Sequence, residues 1–272
     1  MLDRIEAYYD AVPRGAAAAE DHGPLTLFVN RRPGWHYYAR PRLGDPGPVR
    51  ANDVEAVRRR QRVLGVPESF EWVAEVTPSL RPAAERAGLK VSEHPLMVLD
   101  ARAFPAEAPR LPAGTRVRIV DPEDPDLATL RALADVGFGS PGTAVGPAGR
   151  EALAAAVGHV DAAGVAALSE RLRTGLTVMA AAGDREGPLA AGSHQPIGAV
   201  TEVVGVATLP AARRRGLAAA VTHALVADAL GRGCEVVFLS AGDDAVARIY
   251  ARLGFRRAAT ALIAEPPAPA TV

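Results

Sequence analysis

The clearest hydrophobic pattern in this chain is a short apolar run, Glu202-Val203-Val204-Gly205-Val206-Ala207, which reads as a buried strand. It turns through Thr208-Leu209-Pro210-Ala211-Ala212-Arg213-Arg214-Arg215-Gly216 into a helix predicted from about Leu217 to Leu230. Upstream, Thr115–Val120 alternates polar and apolar, the mark of a half-buried strand. Asp124-Pro125 offers an N-cap followed by proline at the first helical position, and Leu127, Leu130, Leu133 and Ala134 give that helix an apolar face. Gly137 to Gly149 reads as a Gly/Pro-rich loop. Helix resumes from Arg150 to about Leu172, with a break expected near Gly158 to Gly164. Two strands follow, Leu176–Ala182 and Leu189–Val200, the second with an interruption expected at Gly192 to Pro196. Beyond the central helix come a strand over Glu235–Ser240, a helix over Asp243–Leu253 and a closing strand over Phe255–Ala264.

The N-terminal half carries a fainter version of the same pattern. Leu25–Asn30 and Trp35–Pro41 read as strands, Val54–Leu64 as a helix and Phe70–Val76 as a strand. Pro78–Ala87 reads as a helix closed by Gly88-Leu89, and Lys90–Leu99 as a strand with Pro95 awkward within it. In this series Trp72 falls opposite Phe238, Gly88 opposite Gly254 and Leu89 opposite Phe255. Two unrelated βαβ pieces would share some of this, because helix-ending glycines are common. No glycine follows Arg58-Arg59-Arg60 at the spacing of the Arg213–Gly216 turn, and Ala84 stands opposite Tyr250. The boundaries expected are residues 1–100 for the first domain, a Pro/Ala-rich linker at 101–114, a second domain at 115–264 and a disordered tail at 265–272.

Composition narrows the function classes. The chain has 272 residues, 49% of them hydrophobic, enough for one large core or two smaller ones. Basic and acidic residues balance, so the net charge is zero, which argues against general binding to nucleic acid or anionic membrane. No secretory signal and no spanning apolar run are visible, and a cytoplasmic protein is the expectation. The single cysteine, Cys234, allows no internal disulfide and reads as a buried structural thiol. The histidines His22, His36, His94, His159, His194 and His223 have no metal-ligand spacing, so no metal is expected. There is no G-x-S-x-G elbow and no redox-cofactor fingerprint.

A strand that turns through basic residues and a glycine into a helix is a layout for binding phosphate. The first amides of a helix lack internal partners and carry its positive dipole end. Gly216 lets the backbone approach an anion, and Ala218 keeps that approach open. The spacing Arg213-x-x-Gly216-x-Ala218 resembles the R/Q-x-x-G-x-G/A signature of the GNAT acyltransferase superfamily. Tyr250-Ala251-Arg252-Leu253-Gly254-Phe255 resembles the Y-x-x-x-G-F ending of that fold's last helix. The resemblance covers roughly Thr115 to Ala264. It implies an α/β (α+β) GNAT fold, a mixed, mostly antiparallel sheet flanked by helices. With the N-terminal half it implies a tandem of one degenerate and one complete GNAT-like domain.

The resemblance also implies chemistry: transfer of an acetyl group from acetyl-CoA to an amine. Val206 N–H would meet the thioester carbonyl, with Ala207 beside it, and Thr208 N–H the pantetheine arm. The pyrophosphate would lie on the amides of Arg214, Arg215, Gly216, Leu217, Ala218 and Ala219, with at least one of Arg213, Arg214 and Arg215 reaching it. Glu202, among Val203, Val204 and Val206, is the candidate base; a strand-margin glutamate or salt-bridge partner is the alternative. Tyr250, with an unperturbed pKa of about 10, is the candidate acid or a packed core aromatic. Asp243 stands where the family often has an asparagine that contacts pantetheine, and helix capping is its alternative role. The acceptor expected is a small-molecule amine, shaped by Gly137–Gly149 and Arg150–Leu172. Two other readings stand beside this one: a carrier-protein thioester as donor, and a non-catalytic acyl-CoA-binding module. A homodimer is compatible with all three.

Overall fold

The computed structural model describes residues 1–30, 36–44 and 47–267. Trp35 and residues 268–272 of the expected tail lie outside the described residues; Glu265 is the last residue of a strand. The chain forms two compact units, residues 1–96 with 257–272, and residues 97–256. This division differs from the expected boundaries. It passes through two strands, and the expected linker at 101–114 lies wholly within the second unit.

The first unit begins with α1 (Leu2–Arg14), β1 (Ala17–His22), β2 (Leu25–Asn30) and β3 (Arg40–Pro41). Then come α2 (Ala51–Leu64), β4 (Phe70–Val73), α3 (Leu80–Arg86) and β5 (Lys90–Leu99), the last running unbroken past Pro95. The three leading strands form an antiparallel sheet in chain order. Trp72 and Phe70 pack with Leu25, Leu27, Val54, Val57 and Leu80 in a core closed to solvent.

The second unit carries β6 (Arg116–Ile119), α4 (Leu127–Phe138), α5 (Arg150–Val157), α6 (Ala162–Arg173), β7 (Val178–Asp184) and β8 (Gly187–Ile197). It continues with β9 (Val200–Thr208), α7 (Leu217–Gly231), β10 (Val236–Ser240), α8 (Asp244–Ala251) and the start of β11 (Phe255–Glu265). Its strands lie in the order β10-β9-β8-β7-β6. Only the β9–β10 pair is parallel. The series α1-β1-β2-β3-α2-β4-α3-β5 therefore recurs as α6-β7-β8-β9-α7-β10-α8-β11. One constant spacing takes Ala51 to Leu217, Phe70 to Val236, Trp72 to Phe238 and Gly88 to Gly254, each pair at an equivalent place in its element.

Two local expectations need correction. The α4 helix starts two residues late, with Asp126 at its N-cap. The Asp124 carboxylate instead accepts from the Arg118 guanidinium and from Asp126 N–H. The predicted interruption of β8 is a bulge: Ala191 faces Ala207 and Ser193 faces Val204, so Gly205 and Val206 together oppose Gly192. Gly205 takes the left-handed conformation this requires, at φ 65°.

Side chains alternate across a strand, so facing partners divide the sheet into two faces. One face holds Glu202 with Gln195, Val204 with Ser193, and Ala207 with Ala191. The other holds Val203 with His194, Thr201 with Pro196, and Thr208 with Ala190. The second face packs on α7, whose Val221 lies against Gly192. His194 is fully buried there. Its Nδ1 is 2.9 Å from Thr201 Oγ1 and its Nε2 is 2.9 Å from Asp228 Oδ2 on α7, and Arg232 pairs with Asp228. Burial holds the imidazole below its ordinary pKa against the pull of Asp228. Burial alone would lift the Asp228 carboxyl, but Arg232 and His194 hold it below the usual range.

Gly192 is the tightest point beneath the bulge. A Cβ there would stand 2.8 Å from Val206 Cγ2 and 3.2 Å from Val221 Cγ1. Gly192→Val should therefore destabilise the chain by about 1–3 kcal/mol through overpacking. Urea unfolding of parent and variant checks this; an unchanged midpoint would mean the bulge yields freely.

Candidate active site

The pairing of β9 with β10 ends early. Val200, Thr201 and Glu202 face Val236, Val237 and Phe238, and no further pair follows, although β9 continues to Thr208 and β10 to Ser240. Leu209 N–H bonds to Leu189 O at 2.9 Å, which marks 189 and 209 as a hydrogen-bonded pair. Alternation along the antiparallel ladder then turns the Thr208 N–H and C=O away from β8, to the side where β10 has departed. The Thr208 hydroxyl is buried without a hydrogen-bond partner among the described residues. Glu202 sits at the last paired position, half-buried, beside the point where the strands part. Val204 shares its face, whereas Val203 and Val206 belong to the α7 face. The apolar company expected for Glu202 is thus reduced to Val204 on its own strand.

After β9, Pro210–Ala212 makes one 3-10 turn. Arg214 and Gly216 both take left-handed backbone, at φ 64° and 80°. The first α7 bond is Ala220 N–H to Gly216 O, 3.0 Å, so the amides of Leu217, Ala218 and Ala219 have no acceptor within the helix. No side chain caps this end. A Cβ on Gly216 would meet only Arg110 O, at 3.4 Å, in a backbone conformation that resists one. Arg214 and Arg215 are exposed. Asp184 lies close enough to Arg215 to feel its charge, although the backbone N–H of Glu186 does most to lower its pKa.

The three arginines do not act alike. Arg213 turns back to the end of α4 and the loop beyond it, where its Nη2 donates to Gly137 O at 2.8 Å and Ser140 O at 2.6 Å, and its Nη1 to Ala144 O at 3.2 Å. Its guanidinium is occupied by those carbonyls, leaving Arg214 and Arg215 as the arginines available to an anion. Two backbone bonds hold the same loop, Gly146 N–H to Pro210 O at 3.1 Å and Ala211 N–H to Ala148 O at 2.9 Å.

Tyr250 on α8 is 7% exposed and stacks edge-on to Phe255 at 6.1 Å. Burial pushes its phenol up to about 12. Asp243 takes the capping role: its carboxylate accepts from Val246 N–H at 2.7 Å. Cys234 is buried, and desolvation raises its thiol pKa, which keeps it unreactive. The segment expected as a free linker is fixed against the second unit's own helices. Phe104 stacks on His223 of α7 at 4.6 Å, and His223 Nε2 lies 3.0 Å from Pro105 O. Gly254 lies so near Ala103 that a Cβ would stand 2.9 Å from its carbonyl. Sequence reasoning missed this segment, as well as Ser193 and Gln195 on the Glu202 face.

The equivalent helix start in the first unit is closed. At the α2 N-terminus the Asp53 carboxylate, on the third helical residue, accepts from Arg50 N–H at 2.8 Å. A carboxylate of the chain itself occupies the positive end that α7 leaves open.

Comparison with known proteins bears on the fold. The model of the acetyltransferase (GNAT) family matches residues 156–255, from the end of α5 to the start of β11. No curated protein matches the chain. Among solved structures it is similar to a GCN5-related N-acetyltransferase from Kribbella flavida, with 24% identity, 99% of this chain and 96% of that one covered, and a TM-score of 0.72. It is also similar to a tandem GNAT protein from the clavulanic acid biosynthesis pathway, with 17% identity, 89% and 78% covered, and a TM-score of 0.55. A GCN5-related N-acetyltransferase-like protein from Streptococcus suis is 12% identical, with 96% of each chain covered and a TM-score of 0.56. Residues 156–255 thus match the acetyltransferase (GNAT) family model, and the chain shares its fold with GNAT proteins of known structure, a tandem one among them.

Proposed function

We propose that this chain is an N-acyltransferase that moves an acetyl group from acetyl-CoA to the amine of a small molecule. The observation that carries this reading is the uncapped start of α7, which follows directly on the strand that parts from its neighbour. A pyrophosphate fits there: open amides, a left-handed glycine and two uncommitted arginines favour an anion. The unpartnered Thr208 hydroxyl and the outward-turned Thr208 N–H supply polar contacts for the pantetheine arm.

Chemistry then follows from what each group holds. Val206 N–H donates to the thioester carbonyl and steadies the negative charge that develops on its oxygen. Glu202 takes a proton from the acceptor ammonium, directly or through water. The freed amine attacks the carbonyl carbon, its nitrogen gives a further proton to solvent, and the carbon–sulfur bond breaks as the tetrahedral adduct collapses to the amide. Tyr250 donates a hydrogen bond to the departing sulfur. With a pKa of about 12 its phenol stays neutral at working pH, so it steadies the thiolate while solvent returns the proton. Donor binding belongs to the second unit, because Asp53 already fills the corresponding helix end in the first.

Calorimetric titration with acetyl-CoA should give one site per chain, and Gly216→Glu should abolish it. A parent that does not bind acetyl-CoA would sink this reading and turn attention to a carrier-protein donor. Glu202→Gln should lower kcat by about 10²–10⁴ with donor binding unchanged. A variant with full turnover and intact binding would remove Glu202 from the chemistry.

Tyr250 also makes stability depend on pH. In the unfolded chain a tyrosine ionises near pH 10, whereas folded Tyr250 keeps its proton to about 12. The contribution of the neutral phenol is complete below pH 10 and is lost as pH climbs towards 12. Tyr250→Phe has no such loss, so urea denaturation at pH 8 and pH 11 should show the variant gaining on the parent at the higher pH. A constant difference would place the Tyr250 phenol in contact with water.

A further inference from the structure

The last residue of α4 and the loop that follows carry two of the second unit's most exposed large apolar side chains, Phe138 at 58% and Val145 at 61%. From Val136 to Gly149 the sequence contains no charged residue; one carboxylate, Asp135, precedes it. Such side chains in a loop are ordinary where the loop is free, but this loop is not. Arg213 gathers the carbonyls of Gly137, Ser140 and Ala144 onto one guanidinium, so Phe138 and Val145, each next to one of those carbonyls, leave the backbone from the same knot. The bonds to Pro210 and Ala211 fasten that knot to the phosphate turn.

Its position is equally definite. A Cβ on Gly137 would lie 2.9 Å from Ala207 Cβ and 3.5 Å from Thr208 N. Ala207 shares a face with Val204 and Glu202, so the loop stands over the end of β9 on the Glu202 side of the sheet. Ala207 follows Val206 directly, so an amine attacking a carbonyl held at Val206 N–H does so beside this segment. The chemistry it meets is apolar surface, with Arg213 already satisfied and no array of carboxylates to hold several cations.

Building on the acyl-transfer reading above, we infer that the acceptor is a monoamine with an uncharged apolar body, seated on Phe138 and Val145, and not a polycation or a lysine-rich peptide. Desolvating an alkyl or aryl group against these side chains supplies binding, and the lone ammonium is neutralised at Glu202.

The test is an acetylation panel with acetyl-CoA and the full chain: ethylamine, butylamine, hexylamine and phenethylamine against ethanolamine, spermidine and an aminoglycoside. The expected result is kcat/KM rising about threefold per added methylene, as apolar transfer dictates, with the polar amines poor. In a Phe138→Ser/Val145→Ser double variant the KM for hexylamine should rise about tenfold, with kcat and acetyl-CoA affinity held. Both positions are exposed, so the variant should fold, and its thermal midpoint verifies this. Equal or better turnover of the polycations, or no change in hexylamine KM in the folded variant, overturns this inference and leaves acyl transfer standing. A chain that binds acetyl-CoA but acetylates no amine on the panel overturns both.

Discussion

The second unit depends on a refusal to pair. Backbone N–H and C=O groups inside a sheet are almost always satisfied, and a strand that leaves its neighbour exposes a row of them. Here β9 keeps three residues of parallel pairing with β10 and then diverges. The bulge opposite Gly192 bends β9 as it leaves, and Gly205 supplies the left-handed backbone the bend needs. The turn beyond adds a second set of open amides at the start of α7. A hydrophobic core alone would have favoured closing this gap. Its persistence leaves backbone groups of β9 unpaired along a path that ends at the open start of α7.

The two halves of the chain show how little separates an open helix start from a closed one. They share an order of elements and a nearly constant spacing, yet α2 meets its own Asp53 where α7 meets nothing. A carboxylate at the third position of a helix satisfies the N-cap amide and puts negative charge at the positive dipole end, which stabilises the helix and disfavours a second anion there. The first unit keeps a filled core around Trp72 and Phe70. Structural retention and loss of a ligand end are compatible, because the core and the helix terminus draw on different residues.

Much of this was legible in the sequence. The strand, turn and helix from Glu202 to Leu230 were readable because apolar period and glycine position coincide there. The break between α5 and α6 fell where the glycines predicted it. Other features were hidden for physical reasons. The β1 sequence Ala-Ala-Ala-Glu-Asp-His has no apolar alternation, and it is a strand because β2 pairs with it. The side chains of Arg213, Arg214 and Arg215 are identical, and nothing local says which will fold back. The choice rests on three carbonyls some seventy residues earlier in the chain. The bulge was visible only as a glycine, and the face that Glu202 occupies depends on its register. Asp243 could be read as a cap or as a pantetheine contact, and its bond to Val246 N–H assigns the cap.

The buried chain of Thr201, His194 and Asp228 lies far along α7 from the Arg213–Gly216 turn, yet it bears on the direction of the amides that follow that turn. A helix packed by small apolar side chains can rotate about its axis at little energetic cost, since one alanine replaces another. Hydrogen bonds from a fully buried imidazole do not tolerate that. Pinning Asp228 fixes the azimuth of the whole rod, because slipping by one residue would swing its amides through about 100°. The far end of α7 thereby works as a keyway, so that the open amides at Leu217–Ala219 point in one direction before any ligand arrives.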